Sequence, residues 1–167
     1  MFIRASDGTQ LYVRHVKPSD KELIGNGWLQ LSEQSQRRRF LAPKPVLTKG
    51  DLRYLTEIDG HDHVALLALR LDDPSHLVGV ARYVRLKDDP ETAEVAVTVG
   101  DSMQGKTVGK QLGVLLADEA RGRGVRRFSA SMLADNRPAL RLMRTMSRRL
   151  DSNIDHGVRD LVADLAA

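Results

Sequence analysis

A turn that could hold an anion is the first chemistry that this sequence offers. It follows the apolar run 97–99, leads into a helical pattern, and consists of Gly100-Asp101-Ser102-Met103-Gln104-Gly105-Lys106-Thr107-Val108-Gly109-Lys110. Where a strand runs through glycines into a helix, free backbone N–H groups and the positive end of the helix dipole face one point. Residues 100–110, which we call the phosphate turn, are therefore predicted to bind phosphate. The alternative is a plain connection whose glycines only ease the bend.

A nucleotide-hydrolase loop is a second alternative for the phosphate turn, because Gly100 to Thr107 matches the pattern G-x-x-x-x-G-K-T. That fold needs several parallel strands joined by helical crossovers, mostly downstream of the loop. Only 60 residues follow Thr107 (167 minus 107), which is room for about two strand–helix units. The length of the chain argues against this alternative.

A single carboxylate within an apolar run is the next candidate for chemistry. Glu94 stands in the segment Ala93-Glu94-Val95-Ala96-Val97, where burial in a strand would remove part of its hydration. Such a carboxylate can act as a general base for an attacking amine, which as an ammonium has no lone pair. The alternative is an outward-facing residue paired with an arginine such as Arg82 or Arg85.

Three apolar, β-branched runs must position both candidates. They predict strands at 63–71, 77–86 and 92–99. The runs are separated by Asp72-Asp73-Pro74-Ser75 and Asp88-Asp89-Pro90, which are both turn sequences. Connections this short cannot hold the crossover of a parallel pair, so the three strands are predicted to form an antiparallel meander.

The rest of the chain alternates helical and extended patterns. Helices are predicted from Pro18, over 32–40 before Pro43 and Pro45, after Thr48 as cap, from Gly109 to Gly122, and over 137–149 with Asn136 as cap. Further strands are predicted at 10–16, 125–133, 153–158 and 160–165. This order of elements predicts an α+β fold.

Composition describes a globular chain and excludes several classes of function. The 167 residues are 41% hydrophobic and 29% charged, and the lack of cysteine excludes disulfides, thiolate zinc sites and a cysteine nucleophile. No apolar run reaches membrane-spanning length and the N-terminus lacks a signal core, so we expect one cytoplasmic domain, residues 1–167, away from membranes. The spacing of His61 and His63 is poor evidence for a metal, and none is predicted.

Nucleic-acid binding is a weak alternative that rests on basic runs. The net charge of +4 is modest, and only 4% of the residues are aromatic. Stacking platforms for single strands are therefore scarce. The basic residues concerned are the run 37–39 and the series Arg141, Arg144, Arg148 and Arg149.

The phosphate turn also resembles that of a known family. Gln104-Gly105-Lys106-Thr107-Val108-Gly109 is similar to the Q/R-x-x-G-x-G/A turn with which GNAT acetyltransferases bind acyl-CoA. The order of helices and strands is similar too, from about residue 9 to about residue 150, most closely over 78–83, 93–97 and 134–137. Within this superfamily the chain looks most like bacterial protein-lysine acetyltransferases of the Pat type.

The resemblance implies a GNAT-type α+β fold, with a mixed, mainly antiparallel central sheet flanked by helices. It implies acetyl-CoA as co-substrate and no metal. The backbone N–H groups of 105–110 would hold the pyrophosphate, the strand edge at 97–99 would pair with the pantetheine arm, and Asn136 would lie near that arm. The implied cofactor-binding residues are Val97, Val99, Gln104, Gly105, Lys106, Thr107, Val108, Gly109, Lys110 and Asn136.

The resemblance further implies that Glu94 takes the proton of the attacking amine, with direct transfer in a ternary complex. A protein lysine is the expected acceptor, while small amines and a homodimer are left open. Two departures from the family keep open a non-catalytic GNAT-like domain that binds acyl-CoA or a protein partner. Thr107 replaces a glycine, and at positive φ it would cost on the order of 1–2 kcal/mol. No tyrosine follows Tyr83 to protonate the leaving thiol.

Overall fold

The computed structural model describes residues 1–42 and 44–166 of the chain, and an eight-stranded sheet runs through it. The strands are β1 (Phe2–Arg4), β2 (Gln10–His15), β3 (His63–Arg70), β4 (Leu77–Arg85), β5 (Thr92–Val99), β6 (Arg127–Leu133), β7 (Ser147–Asp155) and β8 (Val158–Leu165). Their spatial order is β1-β2-β3-β4-β5-β6-β8-β7. The helices are α1 (Lys21–Leu29), α2 (Glu33–Phe40), α3 (Lys49–Thr56), α4 (Val108–Gly122) and α5 (Arg137–Met146).

The sheet is antiparallel except at one junction. The β3–β4–β5 meander pairs antiparallel throughout, as its short turns predict. β5 and β6 pair in parallel, because α4 provides the crossover between them. The predicted α+β fold is confirmed, and its topology excludes the parallel sheet of a nucleotide hydrolase.

The parallel junction is short. Its register runs from Thr92 opposite Arg127 to Glu94 opposite Ser129, and no pair follows in the described residues. The two strands therefore separate after Glu94, and residues 95–99 of β5 keep one edge free of strand pairing. This gap leads directly to the phosphate turn.

The helices form one layer on each face of the sheet. α4 and α5 cover an extensive apolar face whose largest fully buried side chains include Tyr83, Phe128 and Leu112. α1, α2 and α3 cover the opposite face through Trp28 and Leu55, among others. Because strand side chains alternate between faces, Glu94 and its β4 partner Val84 point toward the α1–α3 side, away from α4.

Side-chain caps fix where several helices begin. The backbone N–H of Asp51 donates to Thr48 Oγ1 at 3.0 Å and the N–H of Thr48 donates to Asp51 Oδ2 at 2.8 Å, a reciprocal capping box at α3. The N–H of Ala139 donates to Asn136 Oδ1 at 3.2 Å at the start of α5. Both predicted caps, Thr48 and Asn136, are therefore present.

The C-terminal elements differ from the prediction. α5 ends at Met146 rather than at 149, because residues 147–155 pair with β8, so Arg148 and Arg149 lie on a strand. The predicted strand over 153–158 is wrong, since a tight turn with His156 at φ 49° and Gly157 at φ 77° interrupts it. β1 was not predicted, since three residues carry too little periodicity. The predicted role of Pro43 lies outside the described residues.

No helix within residues 1–42 and 44–166 combines the length and the apolar character needed to cross a membrane.

Candidate active site

The phosphate turn joins β5 to α4 through two left-handed residues. A single turn of 3-10 helix, Asp101–Met103, follows the strand. Gly105 then has φ +74°, and Thr107 has φ 68° and ψ 1° directly before α4 begins. A glycine takes such a conformation without steric cost, whereas a β-branched residue does not.

Six consecutive backbone donors in this turn have no protein partner. Among the described residues, none of the N–H groups from Gly105 to Lys110 donates to a backbone or side-chain acceptor. The first helix bond accepted here is that of Thr107 O from Gln111 N, at 3.0 Å. Unpaired N–H groups at the start of a 15-residue helix, with the positive end of its dipole, make an anion site.

Thr107 is held in its left-handed conformation despite its branched side chain. Its hydroxyl accepts a hydrogen bond from Gln111 Nε2 at 3.0 Å, and the same amide nitrogen donates to Arg4 O at 2.8 Å. The backbone cost is on the order of 1–2 kcal/mol. A residue that could not bond Gln111 would lose this local compensation.

The two lysines of the turn differ in their contacts. Lys106 Nζ lies 3.1 Å from Asp7 Oδ2, and its carbonyl accepts a hydrogen bond from Ser6 N at 3.0 Å. Hydrogen bonds from Thr9 and Lys106 lower the pKa of Asp7 to about 2, so Asp7 is ionised at neutral pH. Lys110 is exposed and makes no ion pair in the described part of the chain, so its charge remains free for a ligand.

Gln104 connects the phosphate turn to α2. Its Nε2 donates to Val99 O at 2.9 Å and to Ser35 Oγ at 3.0 Å. The N–H of Ser32 donates to Asp101 Oδ1 at 3.1 Å. Burial opposes ionisation of Asp101, but the hydrogen bonds from Ser32 and Ser35 outweigh it and lower its pKa. The turn is thus tied to the N-terminus of α2 at two points.

Gly109 allows α4 to lie close to β5. A Cβ atom at this position would lie 3.4 Å from Val99 Cγ2 and 3.9 Å from Val97 Cγ1. A methyl group would fit there, but a branched side chain would press against the strand. The predicted residues Val97, Val99 and Gly109 are therefore brought together at the open edge of β5.

Asn136 lies just beyond the end of β6, the strand that separates from β5. Its side chain is largely buried, and its Oδ1 caps α5. Its Nδ2 donates to no partner among the described residues, which leaves it available to an acceptor entering the gap between the strands. The cap and the predicted ligand contact use different atoms, so both roles are compatible.

Glu94 stands at the point where β5 and β6 separate. It is exposed, so the expected loss of hydration is not found. Within the described residues it forms no hydrogen bond and no ion pair within 4.0 Å, with Arg82, Arg85 or any other cation. A carboxylate with all its acceptor positions free can receive a proton from a substrate in the gap.

A cleft lies between α1–α3 and the face of β4 and β5, and it extends to Gly100 at the phosphate turn. We call it the helix-side cleft, and it measures about 580 Å³ including its open mouth. Its lining includes Trp28, Arg39, Phe40, Leu55, Arg82, Ala96 and Thr98. The cleft was hard to predict from the sequence, because Arg39 belongs to a run typical of a solvated helix face. The one indication of the cleft was Arg82, because an arginine within the apolar run of β4 is unusual.

Arg82 is a buried cation that donates a hydrogen bond to a backbone carbonyl near the end of α3. Its Nη1 donates to Leu55 O at 3.1 Å and lies 3.0 Å from His63 Nε2. Burial, followed by the neighbouring Arg39, lowers the pKa of Arg82 to about 9. Burial and then Arg82 lower the pKa of His63 to about 4, so this imidazole is neutral at pH 7 and can accept the bond.

Two groups that were not predicted to belong to the site, Tyr83 and His61, lie away from the gap. Tyr83 is fully buried on the α4 side of the sheet, where its hydroxyl donates to His61 O at 3.2 Å. His61 Nδ1 lies 2.8 Å from Asp62 Oδ1 at the surface. Among residues 1–42 and 44–166, no three His, Asp or Glu side chains are grouped as metal ligands.

In this chain a strand separates from its parallel neighbour and is followed by unpaired N–H donors at a helix N-terminus. A comparison with models of protein families identifies a class of proteins with this arrangement. The model of the acetyltransferase (GNAT) family matches residues 28–147. The chain belongs to this family, so the predicted family and fold are confirmed.

Individual relatives refine this placement. The chain is 34% identical over 141 residues to acetyltransferase Pat of Mycolicibacterium smegmatis, covering 84% of this chain but 42% of that protein. It is 30% identical over 132 residues to acetyltransferase PA5475 of Pseudomonas aeruginosa, covering 78% and 70%. It superposes on the crystal structure of the GNAT domain of S. lividans PAT with a TM-score of 0.88 and 30% identity, covering 99% and 96%. The predicted enzyme class agrees with both named acetyltransferases.

Proposed function

We propose that residues 1–167 form one domain that transfers an acetyl group from acetyl-CoA to a primary amine. One observation carries the proposal: six unpaired N–H groups, from Gly105 to Lys110, lie at the end of the open edge of β5. The donors suit a pyrophosphate, and the adjoining strand edge suits the amides of a pantetheine arm. Acetyl-CoA carries both groups in this order.

The gap between β5 and β6 then receives the reactive end of acetyl-CoA. The arm pairs with β5 at Val97 and Val99, and the amide nitrogen of Asn136 contacts it from the β6 side. The phosphates are held by the phosphate turn, with Lys110 as the free cation at its edge. This arrangement directs the thioester toward the end of the gap, where Glu94 lies.

Acetyl transfer proceeds by direct attack. Glu94 accepts a proton from the ammonium of the acceptor, and the nitrogen lone pair then attacks the thioester carbonyl carbon. As the new C–N bond forms, the nitrogen loses its second proton to solvent. The carbon–sulfur bond then breaks, and CoA leaves as a thiolate that is protonated by solvent. The acceptor amine is a protein lysine, as in the Pat-type enzymes that the sequence resembles. A small amine is the alternative acceptor.

Ligand-dependent unfolding tests the cofactor. Acetyl-CoA should raise the melting temperature in proportion to its excess over Kd, while ATP with Mg²⁺ and duplex DNA should leave it unchanged. Acetylation of lysines in a bacterial lysate, followed by mass spectrometry, tests the acceptor. Stabilisation and hydrolysis of ATP without any effect of acetyl-CoA would contradict the proposal.

A non-catalytic domain that binds acyl-CoA is the second candidate. It is favoured by the burial of Tyr83 on the far face of the sheet, which leaves the gap without a tyrosine acid there. Measuring acetyl-CoA binding and acetyl transfer on the same sample distinguishes the acetyltransferase from the non-catalytic domain. A protein that binds acetyl-CoA but acetylates neither a protein lysine nor a small amine is the non-catalytic domain.

A further inference from the structure

The helix-side cleft carries positive charge that its own walls do not neutralise. Arg39 and Arg82 are its charged lining residues, and no aspartate or glutamate lines it among the described side chains. The surrounding wall is apolar, with side chains such as Trp28 and Leu55. A low-dielectric wall strengthens the attraction of these two cations for an anion.

Arg39 is held in place without using its hydrogen-bond donors. The carbon of its guanidinium lies 4.5 Å from the centroid of the Phe40 ring, and that ring packs edge-on against Trp28 at 5.2 Å. Within the described residues Arg39 donates no hydrogen bond and forms no ion pair. Stacking thus orients the guanidinium while its N–H groups stay available.

Arg82 is only 4% exposed and uses one of its nitrogens. Nη1 donates hydrogen bonds to Leu55 O and to His63 Nε2, whereas Nε and Nη2 have no hydrogen-bond partner in the part of the chain that the structure describes. Burial lowers the pKa of both arginines, and for Arg39 the charge of Glu94 partly offsets this effect. Neither arginine forms an ion pair within 4.0 Å among the described residues, so Glu94 attracts Arg39 without occupying its donors. A buried guanidinium with open donors is stabilised by an anion that enters beside it.

We propose that the helix-side cleft binds a carboxylate that the acceptor carries near its reactive amine, and that Arg39 and Arg82 recognise it. This proposal rests on the proposed acetyl transfer and narrows its substrate class. A lysine alone would meet two like charges here, whereas a neighbouring carboxylate offsets that repulsion and matches the planar guanidinium fork. The carboxylate belongs either to an acidic residue beside a protein lysine or to a free amino-acid-like amine.

Matched acceptors test the proposal. Two peptides share one acceptor lysine, flanked by glutamates in the first and by glutamines in the second. The glutamate peptide should have a kcat/KM about tenfold or more higher, because a charge-assisted contact in a desolvated cleft has this size. A second pair, Nα-acetyl-lysine and its amide, shows whether a free carboxylate of a small amine is recognised instead.

Arg39→Gln should remove most of the difference between the two peptides, measured as the ratio of their kcat/KM values within the same variant. Arg38→Gln is the matched control, because it removes the same charge from the same helix at a position that does not line the cleft. Arg82→Lys keeps the charge but loses the fork, and its melting temperature verifies the fold. It should reduce the preference about threefold or more.

Equal rates for the two peptides with wild type, or equal effects of Arg38→Gln and Arg39→Gln, would overturn the carboxylate assignment. If acetyl-CoA binds but nothing is acetylated, the proposed function fails by itself. In that case fluorescence anisotropy of the labelled peptides decides the proposal. Tighter binding of the glutamate peptide by wild type, but not by Arg39→Gln, supports it, and equal binding overturns it.

Discussion

The phosphate turn and the helix-side cleft are the two anion sites that we propose, and they use different atoms. The turn presents backbone N–H groups from one continuous segment, Gly105 to Lys110. The cleft presents side chains from α2 and β4, namely Arg39 and Arg82, which are far apart in sequence. Backbone N–H groups can bind a phosphate whatever the side chains of the turn are, so most substitutions leave them in place. A guanidinium group is lost when its arginine is replaced. We therefore expect single substitutions to alter anion binding in the cleft more readily than at the phosphate turn.

The largest expected effect concerns the carboxylate between the two regions. Glu94→Gln should lower kcat by about 10²–10⁴-fold while sparing acetyl-CoA affinity, because it removes the base and keeps the shape. The loss should shrink at high pH, where solution already supplies the neutral amine. Steady-state kinetics across pH with acetyl-CoA titrations measure both quantities. Glu91→Gln is the control, since Glu91 is exposed and precedes β5. Equal turnover of Glu94→Gln and wild type would remove Glu94 from the mechanism.

A change at the contact between α4 and β5 tests the cofactor region alone. Gly109→Val should weaken acetyl-CoA binding about tenfold, because its branches would push α4 away from Val99. Gly109→Ala should have a small effect, since a Cβ fits at 3.4 Å. Titration calorimetry measures the affinities. Gly122→Val is the control at the other end of α4, where a Cβ meets no atom within 4 Å. An unchanged Kd for Gly109→Val would place the phosphates elsewhere.

The backbone strain at Thr107 is tested by measuring the free energy of unfolding rather than ligand affinity. Thr107→Gly should raise the free energy of unfolding by about 1 kcal/mol, because glycine accepts φ 68° without the cost that threonine bears. Thr107→Ala keeps a Cβ and loses the bond with Gln111, so it should be less stable than wild type. Urea unfolding measures both. A loss of stability in Thr107→Gly would mean that the hydroxyl bond outweighs the strain.

The smallest expected effect concerns the lysine that is paired within the protein. Asp7→Asn keeps the hydrogen bond to Thr9 N but frees the charge of Lys106, so acetyl-CoA affinity should rise about twofold at low salt. Asp72→Asn is the control, because Asp72 pairs with Arg70 instead. The acetyl-CoA affinities of wild type and both variants are measured at two ionic strengths. An equal gain in both variants would reflect net charge and not Lys106.

The fold and the phosphate turn were predictable because their signals are local. Turn sequences between apolar runs determine the meander, and glycines before a helical pattern mark the anion site. The exposure of Glu94 was not predictable, because it depends on how far the helices on the α1–α3 face cover this end of β5. Nor was the cleft predictable, since its lining extends from Ile24 to Gly100, which are 76 positions apart in the chain (100 minus 24). The hairpin at His156 and Gly157 was missed because residues 147–155, which form β7, are mostly polar and exposed and so lack the apolar alternation of a strand.

The contacts of Gln104 and Asp101 with the start of α2 could couple the two proposed binding equilibria. The same helix ends beside Arg39, so one rigid element of eight residues contacts both sites. If a bound cofactor shifts that helix, it changes the affinity for the acceptor, and the acceptor must change the affinity for the cofactor by the same factor. Replacing the Gln104 amide, which bonds Ser35 Oγ, would then weaken the coupling between the two equilibria.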